Sequence, residues 1–226
     1  MADEHDPDTG AVRVRGTASR WVTADHAEVT FTVRRHGPTT AKAVATASEA
    51  YVLLDGVLAG AGEVVERRTT VALSVQQVTR WDPETGKEHR EGFSATRAET
   101  VRFAPPADAG EVLRAIAIAV PDLEVGGPRY GLRAENPVHD EVRAAAAADA
   151  RRVAESYAAG LGLSLGRVRR LTEPGLDGGG PVAVEARLAM AATADAGAGP
   201  STVLVDLTAE DVEVRAAVDL DIALAG

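Results

Sequence analysis

The chain has 226 residues, of which 45% are hydrophobic and only 4% aromatic; it carries a formal net charge of −10 and contains no cysteine. That length supports one large domain or two small ones, and the core must be built from Val, Leu, Ala and Ile rather than from rings. The acidity works against phosphate backbones, so no nucleic-acid partner is expected, and without cysteine there are no disulfides, thiolate metal sites or cysteine nucleophiles.

Residues 1–10, MADEHDPDTG, are charged and rich in turn formers and read as a disordered tail. They have neither a basic n-region nor an apolar h-region, so no signal peptide is expected and the chain is placed in the cytoplasm. No apolar run approaches the ~18 residues of a membrane span. Val12 and Val14 alternate with Arg13 and Arg15 as a short strand. Val29, Phe31 and Val33 then alternate with Glu28, Thr30, Thr32 and Arg34, which marks a strand with one buried face. His36, Gly37 and Pro38 stop it. A helix follows from about Pro38 to about Ala61, with Val44, Ala47, Tyr51, Leu54, Leu58 and Ala61 as its apolar stripe.

A long antiparallel hairpin comes next. Val71, Leu73 and Val75 are expected to share one face of its first strand, and Phe93, Ala95, Val101 and Phe103 belong to its second. Between them TRWDPETGKEH supplies the turn chemistry of an extended tip. Arg97 and Glu99 break the apolar alternation, which predicts a bulge or a change of face there. A second helix spans about Ala107 to Ala119, and Pro121 ends it. A strand at Leu123 to Leu132 precedes a third helix, opened by Asn136 and Pro137 and striped by Val138, Val142, Ala146, Ala150, Val153 and Tyr157. A strand through Val168 to Leu171 follows. Residues 173–200, rich in Gly, Ala and Pro, read as a flexible segment in which VAVEARLAMAA is either a short strand or a helix. In the last strand Val212, Val214, Ala216, Val218, Leu220, Ile222 and Leu224 face one way. The order β-β-α-β-β-α-β-α-β-β-β argues for an α+β fold, with about three helices packed on mostly antiparallel sheet.

Site chemistry is sparse. His5, His26, His36, His89 and His139 show no metal-ligand spacing. Asp219 with Asp221, and Asp211 with Glu213, share a face of the last strand and offer a place for a divalent cation, although a solvated face explains them better. Arg167, Arg169 and Arg170 are too few to track a nucleic-acid groove. GLGLSLG follows a helix rather than a strand, so it is a helix exit and not a dinucleotide loop. Gly178 to Gly180 lack the Lys-Ser/Thr of a phosphate loop, and no serine has a predictable histidine partner. No catalytic, cofactor or metal residue is therefore assigned. Trp21 and Trp81 lie among polar turn residues, where the expectation is partial burial under a loop and the alternative an exposed interface.

The stretch from Ala148 to Gly175 resembles the SIMPL-domain family: a helix with repeated alanines (Ala150, Ala154, Ala158), a leucine-glycine pair repeated across a short loop (Leu161, Gly162, Leu165, Gly166), then a strand at Val168. Asp25 and Ala27 before EVTFTV, the helix GPTTAKAVATASEA, and EGFSATRAETVRF, with Phe93 where tyrosine is usual, are similar to further family features in the same order, so that the resemblance covers roughly Val12 to Leu224. The family's early glycine pair is reduced here to Gly16 followed by Thr17 and Ala18. The resemblance implies a single SIMPL-like domain over 11–226, with no established activity, cofactor or catalytic residue. Some members form ring-like or channel-like oligomers and some are linked to stress tolerance. The expectation is a non-enzymatic protein that acts by self-assembly or by binding a protein partner, with a small-ligand or stress-sensing module as the alternative.

Overall fold

The computed structural model describes residues 10–83, 86–174 and 207–226. The tail expected at 1–10 and the segment at 173–200, with VAVEARLAMAA inside it, lie almost wholly outside these. In chain order the elements are β1 (Ala11–Thr23), β2 (His26–Gly37), α1 (Thr40–Gly60), β3 (Val65–Thr70), β4 (Ser74–Asp82), β5 (Lys87–Phe103), α2 (Gly110–Ala119), β6 (Leu123–Gly131), α3 (Val138–Gly160), β7 (Ser164–Thr172) and β8 (Asp211–Ala225). The class is α+β, as the alternation of patterns predicts. The chain divides into two compact units, one holding β1, α3, β7 and β8, the other everything from β2 to β6.

In the first unit the sheet order is β1-β8-β7. The Leu224 N–H donates to the Gly10 carbonyl at 2.7 Å while Arg15 meets Asp219, so β1 and β8 run antiparallel; β7 is antiparallel to β8 as well. Val218, Leu220 and Ile222 of β8 and Val14 of β1 form the apolar face, and α3 lies on it through Ala146, Ala150 and Ala154. Those alanines allow very close approach. A Cβ on Gly16 of β1 would fall 2.2 Å from the Ala146 carbonyl oxygen and 2.3 Å from the Ala150 nitrogen. The buried stripe of α3 continues through Ala154 and Ala158, so Tyr157, expected in it, stands outside and exposed. The helix opens with the Asn136 side chain accepting from the Val138 N–H at 3.1 Å. It closes with Gly162 at φ +71°, the Gly162 N–H donating to Ala159 and the Leu163 N–H to Ala158. That is the two-bond glycine exit that satisfies a helix's last carbonyls, and it accounts for GLGLSLG.

In the second unit the order is β3-β5-β2-β6, with β4 continuing along the same side of β5 as β3. β2 and β5 keep one register from Ala27↔Phe103 to Gly37↔Phe93. Their inner faces bury Val29, Phe31, Val33, Ala95, Val101 and Phe103, and the Phe31 and Phe103 rings meet edge to face at 6.4 Å. The outer face is polar, with Arg102 on Glu28 at 2.8 Å and Thr30 on Thr100 at 3.0 Å. α1 covers the inner face with Ala43, Ala47, Ala50, Tyr51, Leu54 and Leu58. Thr39 caps it, accepting from the Lys42 N–H at 3.2 Å. Among the described residues α1 is the one helix long and apolar enough to cross a membrane by length and composition; here its apolar stripe packs on the sheet.

The hairpin departs from the sequence reading. Its first strand is split at Val71–Leu73 into β3 and β4, and Val71, Leu73 and Val75 are exposed rather than core. β4 then runs on through Asp82, so most of the expected tip is strand. No bulge or face change occurs at Arg97 and Glu99, where the β2–β5 register is unbroken. On the other side of β5 one extra residue falls between Thr70↔Glu99 and Ser74↔Thr96, beside Arg97, so Val71 and Val75 face opposite ways; a second irregularity lies further out, where Val78 pairs with Gly92 and Thr79 with Arg90, leaving Glu91 as the extra residue on β5.

Candidate functional site

Because Arg97 and Glu99 stay on the inner face, they enter a sheet–helix interface that is otherwise apolar, and each needs an answering group. Glu99 is 1% exposed. Its carboxylate accepts from Arg68 Nε of β3 at 2.6 Å, from Arg68 Nη2 at 3.2 Å and from the Tyr51 hydroxyl of α1 at 2.7 Å, with Thr70 Oγ1 at 3.4 Å. Arg68 also donates to Asp55 of α1 at 2.7 Å. Hydrogen bonding to Glu99, against the opposing effect of burial, raises the Arg68 pKa above the ordinary arginine value, so the guanidinium stays charged. The Arg97 guanidinium lies 3.5 Å from the centroid of the Tyr51 ring, with its Nε buried and without a hydrogen-bond partner. Both Glu99 oxygens are occupied by donors, so this carboxylate is a fastener joining α1, β3 and β5 and not a base open to substrate.

Beyond this cluster β5 runs on into a projecting arm. β2 accompanies β5 only as far as Phe93, whereas β4 pairs with β5 out to Asp82↔Lys87. From Val78 to Asp82 and from Lys87 to Gly92 the sheet is therefore a two-stranded ribbon, and its residues are almost all exposed. Arg80 pairs with Glu91 at 2.8 Å, His89 lies 3.7 Å from Asp82, and the Arg90 guanidinium stands 5.7 Å from the Phe93 ring centroid. A ribbon of two strands is marginal in water by itself. Along its β3–β4 edge lie Val71, 58% exposed, then Leu73, Val75 and Trp81, the last 60% exposed. The bulge is on β5, so alternation along β4 is intact and Val75 and Trp81 share a face. Among the described residues, no strand pairs with the outer edge of β4.

The residues weighed from sequence fall elsewhere. Trp21 and Trp81 are both exposed instead of lying under a loop. His26 is buried beside Gly131, its Nδ1 2.8 Å from Asp25, while His36 is at the far end of the same strand. His139 Nε2 lies 3.1 Å from the Arg133 carbonyl oxygen; His5 is outside the described residues. Asp219 is bound bidentately by Arg15 at 2.7 and 2.9 Å and Glu213 pairs with Arg215, so these carboxylates already hold arginines. Among the described residues no three His, Cys, Asp or Glu side chains come together as a metal site would require. Sequence reasoning missed the Tyr51–Arg68–Glu99 cluster. Its signal was present in opposite charges at i and i+2 on a strand face that is otherwise buried.

A family model described as SIMPL, protein of unknown function (DUF541), matches residues 12–222. No curated protein matches the chain.

Proposed function

The chain belongs to the SIMPL family, and on that premise we propose that it acts without catalysis, by self-assembly or by binding a partner protein, through the arm of β4 and outer β5. The observation that carries this reading is the edge of β4, which no strand pairs with among the described residues, with Val75 and Trp81 exposed on one face of it. Unpaired strand edges are templates for another chain, and an exposed aromatic and an exposed aliphatic group on one face are what an interface core uses.

Light scattering on a size-exclusion column, at several concentrations, tests this. The expected result is a discrete mass above the 23.4 kDa of one chain, lowered by Trp81→Ser with Val75→Lys at an unchanged melting temperature. A mass of one chain at every concentration overturns self-assembly. An oligomer that ignores both substitutions overturns the role of the arm.

A further inference from the structure

We propose that β4 pairs with β4 of a second copy of this chain, antiparallel, across a two-fold axis at Val78. This rests on the arm being a binding surface and names what it binds. The two edges of the same sheet differ. β6, on one side, carries Gly126, Gly127 and Pro128 and loses register against β2 there, devices that blunt an edge. β4, on the other side, has nine residues without proline or glycine, Arg80 and Asp82 are its only charges, and the bulge beside it belongs to β5. Such an edge is open to pairing.

The sequence of β4 is complementary to itself. In a continuous sheet related by a two-fold axis, residues opposite each other must point to the same face, so the axis falls on a residue and not between two. An axis at Val78 is the placement that pairs all nine residues of β4. Val75 then faces Trp81 of the second copy, and by symmetry Trp81 faces its Val75. Arg80 faces Gln76 and Asp82 faces Ser74, so no like charges meet. Moving the axis to Arg80 sets two guanidinium groups against each other. The Val75–Trp81 pair recurs twice on one face of the sheet, which covers both exposed side chains in both copies.

The chain has no cysteine, so one introduced thiol reports one distance. Opposed residues in an antiparallel pair have Cα atoms about 4.5–5.5 Å apart, inside the ~4.4–6.8 Å that a disulfide requires. Val78→Cys in the full chain, mildly oxidised, is expected to run at twice the mass on a non-reducing gel. Gln76→Cys is expected to stay single, because the two copies of residue 76 lie four residues apart along the strands, about 13 Å. Gln76→Cys with Arg80→Cys is expected to restore the dimer. The melting temperature of each reduced variant checks that it folds. Val78→Cys that remains single, or that cross-links no faster than Gln76→Cys, overturns the pairing. Light scattering separates that failure from failure of the wider reading. An oligomer dissolved by the Trp81 and Val75 substitutions but lacking the Val78 cross-link leaves the arm as the interface and removes this register. A native chain that is monomeric and never cross-links removes both this pairing and self-assembly.

Discussion

Gly16→Ala sets two effects of opposite sign against each other. By intrinsic preference alanine should stabilise an interior strand position by roughly 0.5–1 kcal/mol, since glycine loses more freedom on folding. At this position the added Cβ would sit 2.2 Å from the Ala146 oxygen, 2.3 Å from the Ala150 nitrogen and 2.7 Å from the Ala150 Cα. Ordinary contact begins near 3.4 Å, so α3 and β1 must separate by 3.4 − 2.2 = 1.2 Å or more. All three contacting atoms are backbone, so no side chain can turn aside. Forced separation of packed elements costs about 1–3 kcal/mol, and here it also lifts Ala146, Ala150 and Ala154 off Val14, Val218 and Leu220. Overpacking wins, and the net loss is about 2 kcal/mol, a fall of roughly 4–8 °C in melting temperature for a chain of this size. Thermal melts followed by circular dichroism measure it. Ala150→Gly should fail to rescue the variant, because it removes none of the clashing atoms. A melting temperature that stays level or rises would refute the account of how α3 meets β1.

Removing one partner of the buried cluster should be expensive. Glu99→Ala removes the main partner of Arg68 and of the Tyr51 hydroxyl, which keep Asp55 and Thr70, and is expected to lower stability in urea by about 3 kcal/mol, the lower end for a broken buried pair, because Arg68 is partly exposed and still paired. Replacing Glu99 and Arg68 together by leucine should cost clearly less than the single change; a double variant as weak as Glu99→Ala would contradict this. The first unit also predicts an acid limb. Hydrogen bonds from Arg15, Arg215 and Arg152 hold Asp219, Glu213 and Asp149 below the usual carboxylate range. A carboxylate whose folded pKa is depressed contributes stability above its unfolded value, about 3.9 for Asp and 4.3 for Glu, and loses it as pH falls through the folded value. Melting temperature should therefore drop below about pH 4, less steeply in Asp219→Asn. A melting temperature that rises between pH 5 and 3 would reverse the sign and defeat this reading.

Elements whose inner face is made of large apolar residues were legible in the sequence. β2 and β8 alternate Val, Phe, Leu and Ile with polar residues, and the structure buries all of the expected set in β2 and Val214, Val218, Leu220 and Ile222 of that in β8. β1 was read only over its first few residues, although it runs to Thr23. Its inner face there is Gly16 and Ala18, small because α3 comes so near, and small residues carry little apolar signal. The same smallness hid Ala154 and Ala158 from the stripe of α3, where Val153 packs partly buried and Tyr157 stands outside. In the hairpin the error ran the other way. Val71, Leu73 and Val75 have the pattern of core residues and stand exposed, because period-two alternation does not record what covers a face. Arg97 and Glu99 were read as an interruption of the strand. Their partners, Arg68 and Tyr51, lie 31 and 48 residues from Glu99, beyond the reach of any local pattern.

The order of strands in the first unit sets a schedule for its folding. β8 lies in the middle of that sheet, between β1 and β7, yet it comes after both of them in the chain and is the last made of the described elements. Arg15 and Asp219, which tie β1 to β8, are 204 residues apart in sequence. During synthesis the described strands of the second unit, all within its Thr23–Leu132 segment, are in hand long before the first unit has its central one, although that second unit also takes in the residues up to Glu210. Until then β1 has no neighbour in its sheet and the alanine face of α3 has only part of its floor. Closure over such a separation is slow, and a waiting unpaired strand is exposed to wrong partners. The nascent chain thus carries one sheet complete and another without its centre, and what chaperones and proteases meet first is the sheet that waits for β8.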